Sequence, residues 1–225
     1  MFIEYSFLMD GGKELHFKID FARPQTDTSS KADYPNWTEL QFHQCRNCPL
    51  NVTQHFYCPV AIDAMEILLG FREILSCSTS DVRVKTPERE YLKRCDAQTG
   101  LRGLIGFVMA TSACPILSKM RGMALYHLPF ASIDEIIYRV TSWYLVNQYY
   151  IHQSGGSTDL ALVHLKKYYE EVQVLNYDFL QRIRVASEAD STLDVLATLF
   201  SISSFLSSES LEQHLEEIRP LFTEL

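Results

Sequence analysis

The sequence predicts an α+β protein in which a small amino-terminal β-hairpin and zinc-knuckle module precedes a mainly α-helical bundle. Three observations lead to this fold class: hydrophobic alternation near the amino terminus, soft metal ligands within residues 43–58, and helical periodicity after residue 60. Residues 1–60 are therefore predicted to form a β-rich metal-binding module, and residues 61–225 a helical domain. The two portions can alternatively pack as one continuous domain.

The predicted β structure rests on residues that alternate between apolar and polar. Apolar residues occupy every second position of residues 15–21, and Asp10-Gly11-Gly12 supplies the turn of a hairpin over residues 4–21. Alternation over residues 37–42 predicts a third strand, which would place His43 and Cys45 on the same face.

The helices are predicted from apolar residues at helical spacing and from capping signals. Ser132 and Glu135 fit a capping box at the start of one helix, which Gly155-Gly156 ends, and Ser157 or Thr158 can cap the next. A short strand is also expected over residues 81–86. The other helices are predicted over residues 61–75, 98–113, 165–183, 192–206 and 209–219.

Composition excludes several classes of protein. The chain has 225 residues, 47% of them hydrophobic, enough to bury a sizeable core. A formal net charge of −8 argues against nucleic-acid binding, which depends on lysine and arginine. Residues 1–5 lack the basic start of a signal peptide, and no apolar run reaches the ~20 residues of a membrane span. We therefore expect a cytoplasmic protein with reduced cysteines.

The strongest motif is His43-x-Cys45-x2-Cys48-x9-Cys58. Zn²⁺ prefers thiolate sulfur and imidazole nitrogen, and a two-residue gap within a tight turn lets Cys45 and Cys48 face one ion. Cys58 can return as the third ligand. His43 is the preferred fourth ligand, with His55 as the alternative. The motif predicts a closed, structural Cys3His zinc site, and an iron–sulfur cluster is the alternative cofactor.

Cys114 is a second chemical candidate. It stands before Pro115 at an expected helix start, where free amides and the helix dipole would lower the pKa of its thiol and favour reactivity. The competing interpretation is a buried structural cysteine. His127 lies among apolar residues and is expected to be a hydrogen-bonded core histidine rather than a catalytic one.

Several strings of the chain resemble an uncharacterised bacterial protein family, a domain of unknown function. The resemblance covers residues 37–184 and implies a bacterial cytoplasmic protein without supplying a mechanism. The strings that carry it are His43-Gln44-Cys45-Arg46-Asn47-Cys48-Pro49-Leu50, Cys58-Pro59-Val60-Ala61, Met109-Ala110-Thr111-Ser112-Ala113-Cys114-Pro115-Ile116-Leu117 and His127-Leu128-Pro129-Phe130-Ala131.

Two functional hypotheses follow. The favoured one is a non-enzymatic, zinc-stabilised module whose helical portion binds another protein or a second copy of itself. The alternative is a thiol-redox enzyme that uses Cys114, or a metal-dependent enzyme with an open coordination position. No complete catalytic signature is present, which favours the first.

Overall fold

The computed structural model describes residues 2–24, 27–30, 32–186 and 190–222. Four strands form one antiparallel sheet in the order β2-β1-β3-β4. The strands are β1 (Phe2–Met9), β2 (Glu14–Asp20), β3 (Thr79–Lys85) and β4 (Glu90–Asp96). The α-helices are α1 (Pro59–Gly70), α2 (Ala97–Thr111), α3 (Arg121–Ala124), α4 (Ile133–Gln153), α5 (Val163–Ala186), α6 (Asp190–Ser207) and α7 (Ser210–Ile218).

The mixed α+β class and the amino-terminal hairpin are confirmed. Phe7 pairs with Leu15 across the hairpin, and the turn contains Gly12 at φ +79°. Residues 79–85 add the predicted short strand, and it pairs with β1, so the sheet takes strands from both sides of residue 60. Strand β4 was not predicted, because only scattered residues such as Tyr91 and Cys95 are partly buried along it.

One face of the sheet is covered by α2. Ile3, Tyr5 and Phe7 alternate inward along β1 and are almost fully buried. Helix α2 lies over β1, β3 and β4 and also packs against α1 and α6, while α5 and α6 pack along each other. One hydrophobic core runs from the sheet through α2 into the α5–α6 pair.

The helix signals are partly confirmed. Ser132 and Glu135 form both bonds of the capping box at α4. Helix α5 begins only at Val163, where the Asp159 carboxylate accepts the backbone N–H groups of Val163 and His164 at 3.1 and 2.7 Å. The predicted caps Ser157 and Thr158 lie before this acceptor. None of the helices in the described residues combines the length and apolar character that a membrane crossing requires.

Candidate metal centre

The segment that carries the metal motif is an irregular loop held against α5. A 3-10 helix spans Asn36–Thr38, and a single bridge joins Glu39 to Tyr57. The prediction of a strand over residues 37–42 is therefore wrong. The backbone carbonyls of Trp37, Glu39 and Leu40 point to the side chain of Arg182 instead of a neighbouring strand.

Cys45 and Cys48 lie at the two ends of a tight turn. The backbone N–H of Cys48 donates to the carbonyl of Cys45 at 2.9 Å. Between them, the Arg46 N–H donates to the Asp178 carboxylate at 2.8 Å, and the Asn47 amide donates to a backbone carbonyl of α5 at 2.8 Å. These bonds fix the turn on α5, so that both cysteines face the protein interior.

Cys58 and Cys114 reach the same region from other elements. Cys58 is the residue before Pro59, the first residue of α1, and the backbone N–H groups of Val60 and Ala61 donate to its sulfur. Cys114 lies in the loop after α2 and receives corresponding N–H bonds from Ile116 and Leu117. Both side chains are buried, at 8% and 7% exposure.

The four cysteines line one small cavity. Cys45, Cys48, Cys58 and Cys114 surround about 20 Å³ of space, and the rest of the wall is chiefly apolar, from Leu40, Leu50, Val60, Ile116, Leu175 and Phe179. A water molecule needs about 10–15 Å³ of such space. The cavity that the thiols line is therefore about the size of one or two water molecules.

The thiols line one cavity without forming a recognisable single-ion site in the described residues. Within the described residues, no three His, Cys, Asp or Glu side chains are grouped tightly enough to hold one metal ion. Sulfur ligands of zinc lie about 2.3 Å from the metal, which requires the sulfur atoms to be close together. The four-cysteine cavity is the space that Cys45, Cys48, Cys58 and Cys114 line together.

Neither histidine of the predicted ligand set lines the cavity. His43 has φ +45°, which turns the chain, and its exposed ring stacks edge-on against Phe42 at 5.0 Å between centroids. His55 is hydrogen-bonded through Nδ1 to the Thr28 hydroxyl at 2.7 Å. Three of the proposed ligands, all cysteines, are thus brought together without either histidine.

Burial dominates the electrostatics of the thiols. Desolvation raises the pKa of Cys45 and of Cys58 well above the usual range, and raises the pKa of Cys114 to about 11. For Cys114 the nearby amides act in the opposite direction, yet they are outweighed. The expectation that a helix start lowers the pKa of Cys114 is therefore wrong, because the chain buries this thiol.

One buried cation adjoins the thiols. Arg182 of α5 is 1% exposed, and its charge favours the thiolate forms of Cys45 and Cys58. Its Nε has no hydrogen-bond partner among the described residues. A buried cation with an unused donor suits a neighbouring anionic group, such as a metal centre ligated by thiolates.

Sequence reasoning missed two members of this arrangement. Cys114 was assigned a separate chemical role because it lies far along the chain from Cys58, and Arg182 had no motif. The sequence contained one signal that groups Cys114 with the other cysteines. It is followed by proline, as are Cys48 and Cys58, and a Cys-Pro pair also ends the ligand run of bacterial ferredoxins.

Comparison with known proteins assigns the chain to a family whose function is not known. A family model described as Domain of unknown function (DUF6901) matches residues 3–223, and the chain belongs to that family. No curated protein and no solved structure matches the chain.

Proposed function

We propose that this member of the DUF6901 family binds an iron–sulfur cluster through Cys45, Cys48, Cys58 and Cys114, and exchanges single electrons with a partner protein. The observation that carries the proposal is the cavity that all four thiols line. Iron–sulfur clusters are held by four cysteine thiolates, and the inorganic core separates those thiolates.

The surroundings support the same cofactor. Backbone N–H groups that donate to cysteine sulfur help to set the reduction potential of a cluster, and both Cys58 and Cys114 receive two of them. Arg182 supplies a buried positive charge, which would offset the negative charge of a thiolate-ligated cluster. The apolar wall would limit access of water.

Four protein ligands would complete the coordination of the cluster. A saturated cluster has no open position for substrate, so electron transfer suits it better than Lewis-acid catalysis. The Cys45–Cys48 turn is partly exposed and would bring one side of the cluster near the surface. This position agrees with the hypothesis of a non-enzymatic module that acts through another protein.

The test is anaerobic reconstitution of the full chain with Fe²⁺ and sulfide. We expect equal amounts of iron and acid-labile sulfide, with at least two of each per chain, a broad visible absorption, and an electron paramagnetic resonance signal on reduction. Cys114→Ser is the decisive variant and should lose most of the bound iron. Cys77→Ser, which changes an exposed cysteine, is the matched control and should retain the full content.

Two outcomes would overturn the proposal. One is a single zinc per chain in protein purified without added metal, with iron unable to replace it. The other is a cluster that persists in Cys114→Ser, since the fourth ligand would then lie elsewhere. His43→Ala and His55→Ala should both leave the cluster intact, and loss in either variant would return a histidine to the ligand set.

A further inference from the structure

A second and larger cavity lies between α2, α4, α5 and α6. It measures about 170 Å³, and its wall is mainly apolar. Three methionines, Met109, Met120 and Met123, contribute to it, and their flexible side chains can adapt to different shapes. An apolar cavity of about 150 Å³ accommodates benzene, so this one has room for a single ring or a short alkyl chain.

Two arginines lie on the wall of this apolar cavity. Arg139 Nη2 donates to the backbone carbonyls of Tyr126 and Met123 at 2.8 and 3.4 Å. Arg102 Nη2 donates to the carbonyl of Ala131 at 3.3 Å. In the part of the chain that the structure describes, no ion pair joins either guanidinium to a carboxylate.

The charge on Arg139 is costly to keep in this position. Burial lowers the pKa of its guanidinium, although an arginine remains charged at neutral pH. Carbonyl oxygens satisfy some of its donors, and Glu135, one turn earlier on α4, favours the charged form without forming an ion pair with it, because its carboxylate accepts the Ser132 N–H. A carboxylate ligand matches the planar guanidinium with two parallel hydrogen bonds and supplies a directly paired negative charge.

Part of the cavity wall is held against the sheet. His127 lines the wall, and its Nε2 is hydrogen-bonded to the Tyr5 hydroxyl of β1 at 2.5 Å. The imidazole also packs against Phe107 at 5.1 Å between ring centroids. These contacts tie the cavity wall to the sheet, so the space is formed before any ligand enters it.

We propose that this cavity binds a small amphipathic carboxylate, with a single ring or short alkyl chain in the apolar space and the carboxylate on Arg139. Arg102 would add a second positive charge at the same wall. The proposal does not depend on the iron–sulfur cluster. Val172 and Asn176 of α5 line this cavity, whereas Leu175 and Phe179 line the four-cysteine cavity.

The experiment compares two ligands of nearly equal shape, phenylacetate and phenylacetamide, by calorimetric titration of the full chain. We expect phenylacetate to bind about tenfold or more tightly than the amide, because only the acid pairs with Arg139. In Arg139→Gln the two affinities should become similar while amide binding is kept. Arg219→Gln, which removes an exposed and already paired charge, should preserve the wild-type ratio.

A second variant tests the cavity itself. The Cβ of a residue at position 106 would meet no heavy atom within 4 Å, so Gly106→Leu can extend into the open space. It should abolish binding of both ligands while the chain stays folded. Equal affinities of acid and amide for the wild type, no binding of either at millimolar concentration, or an unchanged ratio in Arg139→Gln would each overturn the proposal.

Discussion

Arg182 donates a 2.6 Å hydrogen bond from its Nη1 to the backbone carbonyl of Glu39. The same guanidinium also donates to the carbonyls of Trp37 and Leu40 at 2.7 and 3.1 Å. This one side chain therefore gives the irregular loop before Cys45 the hydrogen bonds that a neighbouring strand would otherwise supply. It connects the loop to α5 and sets the position from which the four-cysteine cavity is built.

Replacing Arg182 with methionine should be strongly destabilising. Methionine fills similar space but leaves the three buried carbonyls without a donor, so we expect a loss of about 3 kcal/mol or more in the free energy of unfolding. Urea denaturation measures it. Arg184→Met, two residues further along the same helix and exposed, should change stability by less than about 0.5 kcal/mol. Similar losses in both variants would contradict the role assigned to Arg182.

Two glycines of α2 should respond to alanine in opposite directions. A Cβ at position 100 would lie 2.6 Å from the Phe7 ring and 3.0 Å from Val82, so Gly100→Ala should cost about 1–3 kcal/mol. At position 106 a Cβ meets open space, so Gly106→Ala should gain up to about 1 kcal/mol from helix propensity. Thermal unfolding of both variants tests these two predictions. A loss of stability in Gly106→Ala would contradict the open space described at position 106.

Patterns that depend on neighbouring residues could be predicted from the sequence. The alternation in β1 and β2 and the Ser132 capping box each involve contacts a few residues apart, and the structure contains both. The strand prediction over residues 37–42 was wrong although apolar and polar residues alternate there. The backbone of this segment forms a loop that binds the Arg182 side chain and does not pair with another strand. Strand β4 carries little hydrophobic signal because most of its residues are exposed and only Tyr91 and Cys95 are partly buried.

The candidate site also has one part that the sequence could predict and one part that it could not. Cys45, Cys48 and Cys58 belong to one local segment and all line the four-cysteine cavity, while their role as metal ligands stays a prediction. Cys114 joins them only because α2 and the loop after it return to α5 across the core. No periodicity within a single chain reports such a long-range approach. The same limit applies to Arg182, whose partners lie more than a hundred positions earlier.

Alkylation should separate structural from reactive cysteines. In native, metal-free protein we expect iodoacetamide to modify the exposed Cys77 first, and Cys58 and Cys114 slowest, since those two are 8% and 7% exposed. Peptide mass spectrometry over a time course measures the order. After cluster reconstitution, the four cavity cysteines should become more protected while Cys77 stays reactive. Modification of Cys114 as fast as Cys77 would instead support the thiol-redox hypothesis.

Protonation of His127 should weaken the fold in acid. Burial lowers its pKa to about 3, well below the value near 6.5 of an unfolded histidine. Above pH 6.5 both states are neutral at this residue, so its contribution to stability is constant. As the pH falls from 6.5 towards 3, the unfolded chain takes up a proton that the folded chain does not, and stability is lost.

The expected loss in the free energy of unfolding is on the order of 1 kcal/mol for each pH unit below 6.5. Because the carboxylates of the protein also titrate in acid, the quantity to measure is the difference between wild type and His127→Asn, which has no proton to gain. When the pH is lowered from 7 to 5, the wild type should lose about 2 kcal/mol more unfolding free energy than His127→Asn. His152→Asn, at the exposed end of α4, is the control for loss of a histidine. A wild-type imidazole that titrates near pH 6.5 by NMR in the folded state would contradict the prediction, since burial and the nearby charge of Arg139 would then impose no cost on the charged form.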